Sequence, residues 1–172
     1  MNIDGKRIAI LVADDFEDVE LTEPREQLTT AGAETFIVGI EAGTTAEGKH
    51  GTTVEVEYAA GDLTVGEFDL LMIPGGQAPE KLRLDEGVLG LVRRTDEAGL
   101  PIAAICHAAL VLASADLLEG RRATSWKGVR DDIANAGAEA VDEPVVVDGN
   151  LITSRNPDDI PDFVNAIIEA LQ

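Results

Sequence analysis

Short apolar runs of strand length, each closed by acids, glycine or proline and followed by a helical pattern, constrain this chain more than any other feature. They occupy residues 6–13 (KRIAILVA), 34–40, 68–73 (FDLLMI) and 102–105. A strand apolar at nearly every position is buried on both faces. That is the condition of a parallel sheet covered by helices on both sides. Helical patterns fill the intervals: from the acidic stretch 14–20 to Ala31 with a stop at Gly32, then 80–98, then 107–115. A further helix runs from Trp126 to near Gly137, and an amphipathic one closes the chain over 158–171. Residues 41–51 read as loop, and 53–58 (TVEVEY) as a half-exposed strand. Asp148-Gly149 between two β-rich runs predicts a hairpin. The expected fold is a single α/β domain over residues 1–172: a doubly wound, mostly parallel sheet with helices on both faces and one antiparallel hairpin. The chain is 45% hydrophobic but only 3% aromatic, so its core must be aliphatic.

The charge balance excludes whole classes of partner. Asp and Glu number 33 against 13 Lys and Arg, for a net charge of −20. Nucleic acid and anionic membrane surfaces both require a basic face. Only Lys6, Lys49, Lys81 and Lys127 are lysines. Carboxylate excess with scarce lysine, spread through an ordinary globular sequence, points to salt adaptation, where screening relieves self-repulsion. The one cysteine allows no internal disulfide, and no apolar stretch approaches the length of a membrane span. A soluble, cytoplasmic protein is expected.

In a doubly wound sheet, ligands sit beyond the carboxyl ends of the strands. Residues 14–17, 74–76 and 106–107 fall there. Cys106 directly follows a strand and opens a helix. Free backbone N–H groups and the helix dipole at such a position favour the thiolate, the reactive form of the residue. Cys106 is therefore either a nucleophile held as a thiolate or a small buried hydrophobe. His107 can serve it as base or as counter-cation, or can simply cap the helix. Glu17 is either a proton carrier beside the thiol or one solvated carboxylate among many. Gly75 and Gly76 offer bare amides to an oxyanion, or make a turn. No GxGxxG or P-loop is present, and no metal or cofactor is predicted.

Taken together, ADDFEDVEL (13–21), PGGQAPEKLR (74–83), AICHA (104–108), TSWKGVRDDIANAGAE (124–139) and VVVDGNLITSR (145–155) resemble the PfpI intracellular-protease family within the DJ-1/PfpI superfamily. The resemblance implies a flavodoxin-like sandwich with Cys106 as nucleophile and Glu17 as the carboxylate bonded to its sulfur. His107 matches the adjacent histidine. Glu80 matches a glutamate that orients this histidine from a neighbouring subunit, which implies a homo-oligomer, a dimer or a hexamer. Gly76 and the His107 amide match oxyanion donors, and Trp126 stands near the pocket. The run Ala108-Ala109-Leu110 departs from the family pattern and bears on the pocket floor. The implied activity is hydrolysis of peptides, or glyoxalase and deglycase chemistry on small carbonyls such as methylglyoxal and its adducts. Small carbonyls are favoured, because they need only the cysteine, a carboxylate and a small pocket. The alternative is a non-catalytic redox sensor or chaperone-like stress protein. A glutamine amidotransferase is disfavoured, because no histidine lies near residues 154–158.

Overall fold

The computed structural model describes residues 2–172. In chain order its strands and longer helices are β1 (Arg7–Leu11), α1 (Asp18–Thr30), β2 (Glu34–Gly39), β3 (Thr45–Glu47), β4 (Thr53–Glu55), β5 (Tyr58–Ala59), β6 (Leu70–Ile73), α2 (Ala78–Leu82), α3 (Glu86–Glu97), β7 (Ile102–Ile105), α4 (Ala109–Ser114), β8 (Arg122–Ala123), α5 (Arg130–Asn135), β9 (Glu139–Ala140), β10 (Val145–Asp148), β11 (Leu151–Ser154) and α6 (Ile160–Leu171). Seven strands form the central sheet in the order β10-β11-β7-β6-β1-β2-β5. Every pairing is parallel except that of β10 with β11. The expected α/β architecture is thus the one observed.

Why the apolar runs are continuous is visible in β1. Ala9 and Leu11 pack on one side of the sheet with α3 and α4, while Ile8 and Ile10 pack on the other with Leu21 and Leu28 of α1 and Phe163 and Ile167 of α6. All four β1 residues are fully buried. Burial of this order, at roughly 1.5–3 kcal/mol per large aliphatic side chain, is what holds the two helical layers to the sheet.

Three local expectations are revised. Residues 41–51 are not all loop: β3 pairs antiparallel with β4 in a separate hairpin whose turn carries Lys49 and His50. The helix expected over 80–98 is two helices. Asp85 ends the first segment by capping α3, its carboxylate accepting the Val88 N–H at 2.9 Å. The helix expected from His107 begins as a single 3-10 turn over Cys106–Ala108 and becomes α-helical only at Ala109. Among the described residues, no helix is long and apolar enough to cross a membrane.

Candidate active site

The carboxyl ends of β1, β6 and β7 deliver three segments to one place. Backbone hydrogen bonds join the first two, and another ties Cys106 to Trp126, before any side chain is considered. The N–H of Glu17 donates to the carbonyl of Gly75 at 3.1 Å, that of Gln77 to Asp15 at 2.9 Å, and that of Trp126 to Cys106 at 3.2 Å. Gly76 takes φ +84°, and a Cβ there would lie 2.5 Å from the Asp15 carbonyl oxygen. Only glycine allows this approach. A Cβ at Gly75 would lie 2.9 Å from the Cys106 Cβ. Together they bring the turn after β6 against the cysteine.

Cys106 is a non-glycine residue at φ +64°, in the left-handed region. Strain of this kind, of order 1–3 kcal/mol, persists where surrounding structure over-determines it, and it concentrates at functional sites. The residue is 8% exposed and opens into a cavity of about 340 Å³ that Glu17, Glu20, Lys49, Gln77, His107 and Trp126 help to line. The sulfur lies 3.2 Å from His107 Nδ1, so the neighbouring side chains do meet across the 3-10 turn. The amides of His107 and Gly76 also point at the sulfur and pull its pKa down. Larger effects oppose them: burial first, then the charge of Glu20, push the Cys106 thiol up. The sequence expectation of a dipole-stabilised thiolate therefore reverses in direction. The cause is burial of the sulfur, with the charge of Glu20 beside it.

The carboxylate at the sulfur is Glu20, not Glu17. Glu17 is the N-cap residue of α1, and its side chain swings out to Lys49 Nζ at 3.3 Å and His50 Nε2 at 3.5 Å. One helical turn further on, Glu20 points inward and is fully buried. Its Oε1 accepts the Gly75 N–H at 2.9 Å, while Oε2 is buried without a hydrogen-bond partner. Burial, against the pull of the Gly75 amide, pushes this carboxyl up to about 8. Glu20 consequently carries its proton at neutral pH, on a carboxyl that borders the cavity. Gly75 spends its N–H on Glu20 and has none left for an oxyanion. Gly76 and His107 remain as the amide donors at the sulfur.

His107 is held neutral: burial first, then the charge of Lys49, push its pKa down, and Glu80 and Glu17 pull it back up. Glu80 is exposed on α2 and outside the cavity wall, yet its charge reaches His107 within the same chain. The Trp126 ring stacks on that of His107, with centroids 6.3 Å apart and planes at 24°. Ala108, Ala109 and Leu110 are buried and do not line the cavity, so that departure from the family pattern places no side chain on the pocket floor.

Sequence reasoning missed Glu20 and Lys49. Glu20 was detectable, because it sits at helical spacing with the buried positions Leu21, Pro24 and Leu28, where a carboxylate has no bland explanation. Lys49 gave no signal. It reaches the site only because the β3–β4 turn folds over Glu17, held there by Asp18, whose carboxylate accepts the N–H groups of His50 and Thr52 at 2.9 Å each.

Comparison with known proteins gives the family and the fold. A model of the DJ-1/PfpI family matches residues 6–170. An uncharacterized protein of Staphylococcus epidermidis is 46% identical over 170 residues, covering 98% of this chain and 99% of the relative. The protein named deglycase PfpI from Pyrococcus furiosus is 42% identical over 166 residues, covering 96% and 99%. Among solved structures, a two-domain protein of Anabaena variabilis with DJ-1/ThiJ/PfpI-like and ferritin-like domains superposes with a TM-score of 0.94 at 39% identity, over 96% of this chain and 48% of that one.

Proposed function

The chain belongs to the DJ-1/PfpI family, and from that premise we propose that it is a cysteine-dependent enzyme converting α-oxoaldehydes such as methylglyoxal, free or as adducts, to 2-hydroxy acids. One observation carries the reading: a neutral imidazole at 3.2 Å, two backbone amides and a protonated buried carboxyl converge on the Cys106 sulfur. The deglycase name of the Pyrococcus furiosus relative supports the same substrate class.

The residues divide the work as follows. The thiol proton passes to His107 Nδ1 as Sγ adds to the aldehyde carbon. The carbonyl electron pair moves onto oxygen, where the amides of Gly76 and His107 stabilise it and Glu20 protonates it. The result is a hemithioacetal. Glu20, now a carboxylate, removes the C1 hydrogen as a proton while protonated His107 gives its proton to the C2 oxygen, forming an enediol; Glu20 then delivers its proton to C2 and takes the one on the C1 oxygen, leaving His107 neutral. The aldehyde carbon is thereby oxidised and the ketone carbon reduced within one molecule, leaving a 2-hydroxyacyl thioester. Water, activated by His107, then cleaves the C–S bond and regenerates the thiol. A group near pKa 8 suits Glu20 to give and take this proton near neutrality.

Methylglyoxal turnover to lactate, measured on wild type, Cys106→Ala and Glu20→Gln, tests the reading. Cys106→Ala should abolish turnover, and Glu20→Gln should lower it by two orders of magnitude or more, within the usual range of about 10²–10⁴ for a proton-transfer group. Wild-type rates in a folded Cys106→Ala protein would end it.

A further inference from the structure

Lys127, Arg130 and Arg155 do not belong to the machinery above, yet together with Trp126, Asp142 and Asn156 they line a second cavity of about 230 Å³. In a chain with 13 cations against 33 acids, three cations around one small hollow is an unusual concentration. The hollow adjoins the catalytic cavity. Trp126 is a wall of both, and the consecutive residues Asn156 and Pro157 line one each.

The geometry of this second cavity already accommodates a carboxylate. Oδ1 of Asp142 accepts from Arg130 Nη2 at 3.1 Å and from Arg155 Nη1 at 3.0 Å. Asp142 is a poor permanent occupant, because its side chain is 63% exposed and hangs from the segment between β9 and β10. Arg155, by contrast, is fixed from behind. Both oxygens of buried Asp159 take its Nε and Nη2, at 2.8 and 3.0 Å, and leave Nη1 directed at Asp142. Arg130 keeps a buried Nε without an acceptor. Lys127 makes no ion pair among the described residues and lies with Nζ 5.6 Å from the Trp126 ring centroid. Two guanidinium groups converge on one carboxylate oxygen that is exposed enough to leave, and further donors stand free beside it.

We propose that this second cavity binds the carboxylate of a substrate whose carbonyl is held at Cys106, the substrate's carboxylate displacing that of Asp142. The proposal rests on the reading of Cys106 given above and narrows its substrate class. The preferred α-oxoaldehyde carries a carboxylate on a short chain that passes Trp126, which methylglyoxal lacks. A carboxylate is favoured over a phosphate because Asp159 already occupies the fork of Arg155, and the group to be displaced from Arg130 and Arg155 is itself a carboxylate monoanion. Lys49 does not serve this end, because Glu17 already holds it on the other side of the catalytic cavity.

The test compares 4,5-dioxopentanoate, which is methylglyoxal extended by a carboxymethyl group, with its uncharged methyl ester at one fixed ionic strength. Wild type should show kcat/KM for the acid higher by about tenfold or more, the scale of one charge-assisted contact. Lys127→Met, on the exposed rim, and Arg130→Gln should each shrink the acid-to-ester ratio. Asp142→Asn, which removes the internal competitor, should enlarge it by lowering KM for the acid. A ratio near unity in wild type, or one unmoved by all three substitutions, overturns the proposal. Binding of the product 2-hydroxyglutarate to the Cys106→Ala protein, followed by calorimetry, separates the two readings. Binding that weakens with Arg130→Gln supports the carboxylate cavity even where turnover is absent, and failure to bind counts against the cavity alone.

Discussion

Glu20→Gln should change how stability depends on pH, in a direction fixed by burial. The ordinary carboxyl value is 4.5, and the buried one is about 8. Below 4.5 both the folded and unfolded chains hold the proton. Between 4.5 and about 8 only the folded chain holds it, so stability falls as pH rises through that window. The upper part of the window is the cleaner one. His107, whose folded pKa lies below 6.5, contributes a slope of the opposite sign only beneath that value. Cys106, pushed above 9.0, contributes its own only above it. Between pH 6.5 and 8, Glu20 should therefore cost the folded state about 1.5 kcal/mol, at about 1.4 kcal/mol per unit with the curve flattening near the midpoint. That corresponds to a fall in melting temperature of roughly 3–6 °C for a chain of this size. Glutamine keeps the shape, and its amide oxygen can still accept the Gly75 N–H. Urea unfolding of wild type and Glu20→Gln at pH 6.5 and at pH 8, in the same KCl, gives the difference of slopes directly and cancels every other titrating group. Parallel slopes would mean that Glu20 is ionised in the folded protein and that the protonated carboxyl the proposed reaction requires is not there.

Two further outcomes follow from the same physics. Gly76→Ala places a Cβ against the Asp15 carbonyl and the Glu17 amide at φ +84°, so it should lower the urea midpoint by the equivalent of about 2 kcal/mol or more and turnover with it; an unchanged midpoint would show that the turn relaxes freely. A net charge of −20 should make the melting temperature climb between 0.1 and 1 M KCl, as the screening length drops from about 10 to about 3 Å, and a flat response would make the acidity incidental to stability.

Much of the fold was legible because burial on both faces of a parallel strand writes itself as a continuous apolar run. Residues 102–105 and the hairpin of Val145–Asp148 and Leu151–Ser154 were located to the residue. What escaped was set by contacts distant in sequence. The strand of Thr45–Glu47 is polar and short, and it exists because Thr53–Glu55 pairs with it, so periodicity could not find it. The break near residue 83 is a capping event by Asp85, and its signal is the pair of acids, Asp85 and Glu86, at the positions where a continuing helix would carry its apolar stripe. In the site, Cys106, His107 and Gly76 were found, because a strand-end cysteine and a glycine pair are local signals. The assignment of the sulfur's carboxylate slipped from Glu20 to Glu17 by one helical turn. Both residues lie in the same acidic stretch, and only the packing of the first helix decides which of them faces inward.

The way the site is assembled also separates what it can change from what it cannot. Three loops are joined by main-chain hydrogen bonds and by two glycines whose Cβ atoms would collide with neighbours. Cys106 is held at positive φ by that frame, and Glu20 is bonded into it through the Gly75 amide. A substitution at any of these points disturbs all three loops at once, so the proposed nucleophile, acid and oxyanion donors form one unit that varies together or not at all. The outer wall is different in kind. Lys49, Gln77 and Trp126 enter the frame only through their backbone N–H groups, which donate to Phe16, Asp15 and Cys106, and border the cavity with side chains that carry none of it. Substitutions there redraw the pocket while leaving the chemistry in place. On the proposed reading, substrate range is therefore decided by the wall and by the cationic hollow behind Trp126, and reaction type by the frame. Exchanging Trp126 for a smaller aromatic should shift KM among α-oxoaldehydes far more than kcat.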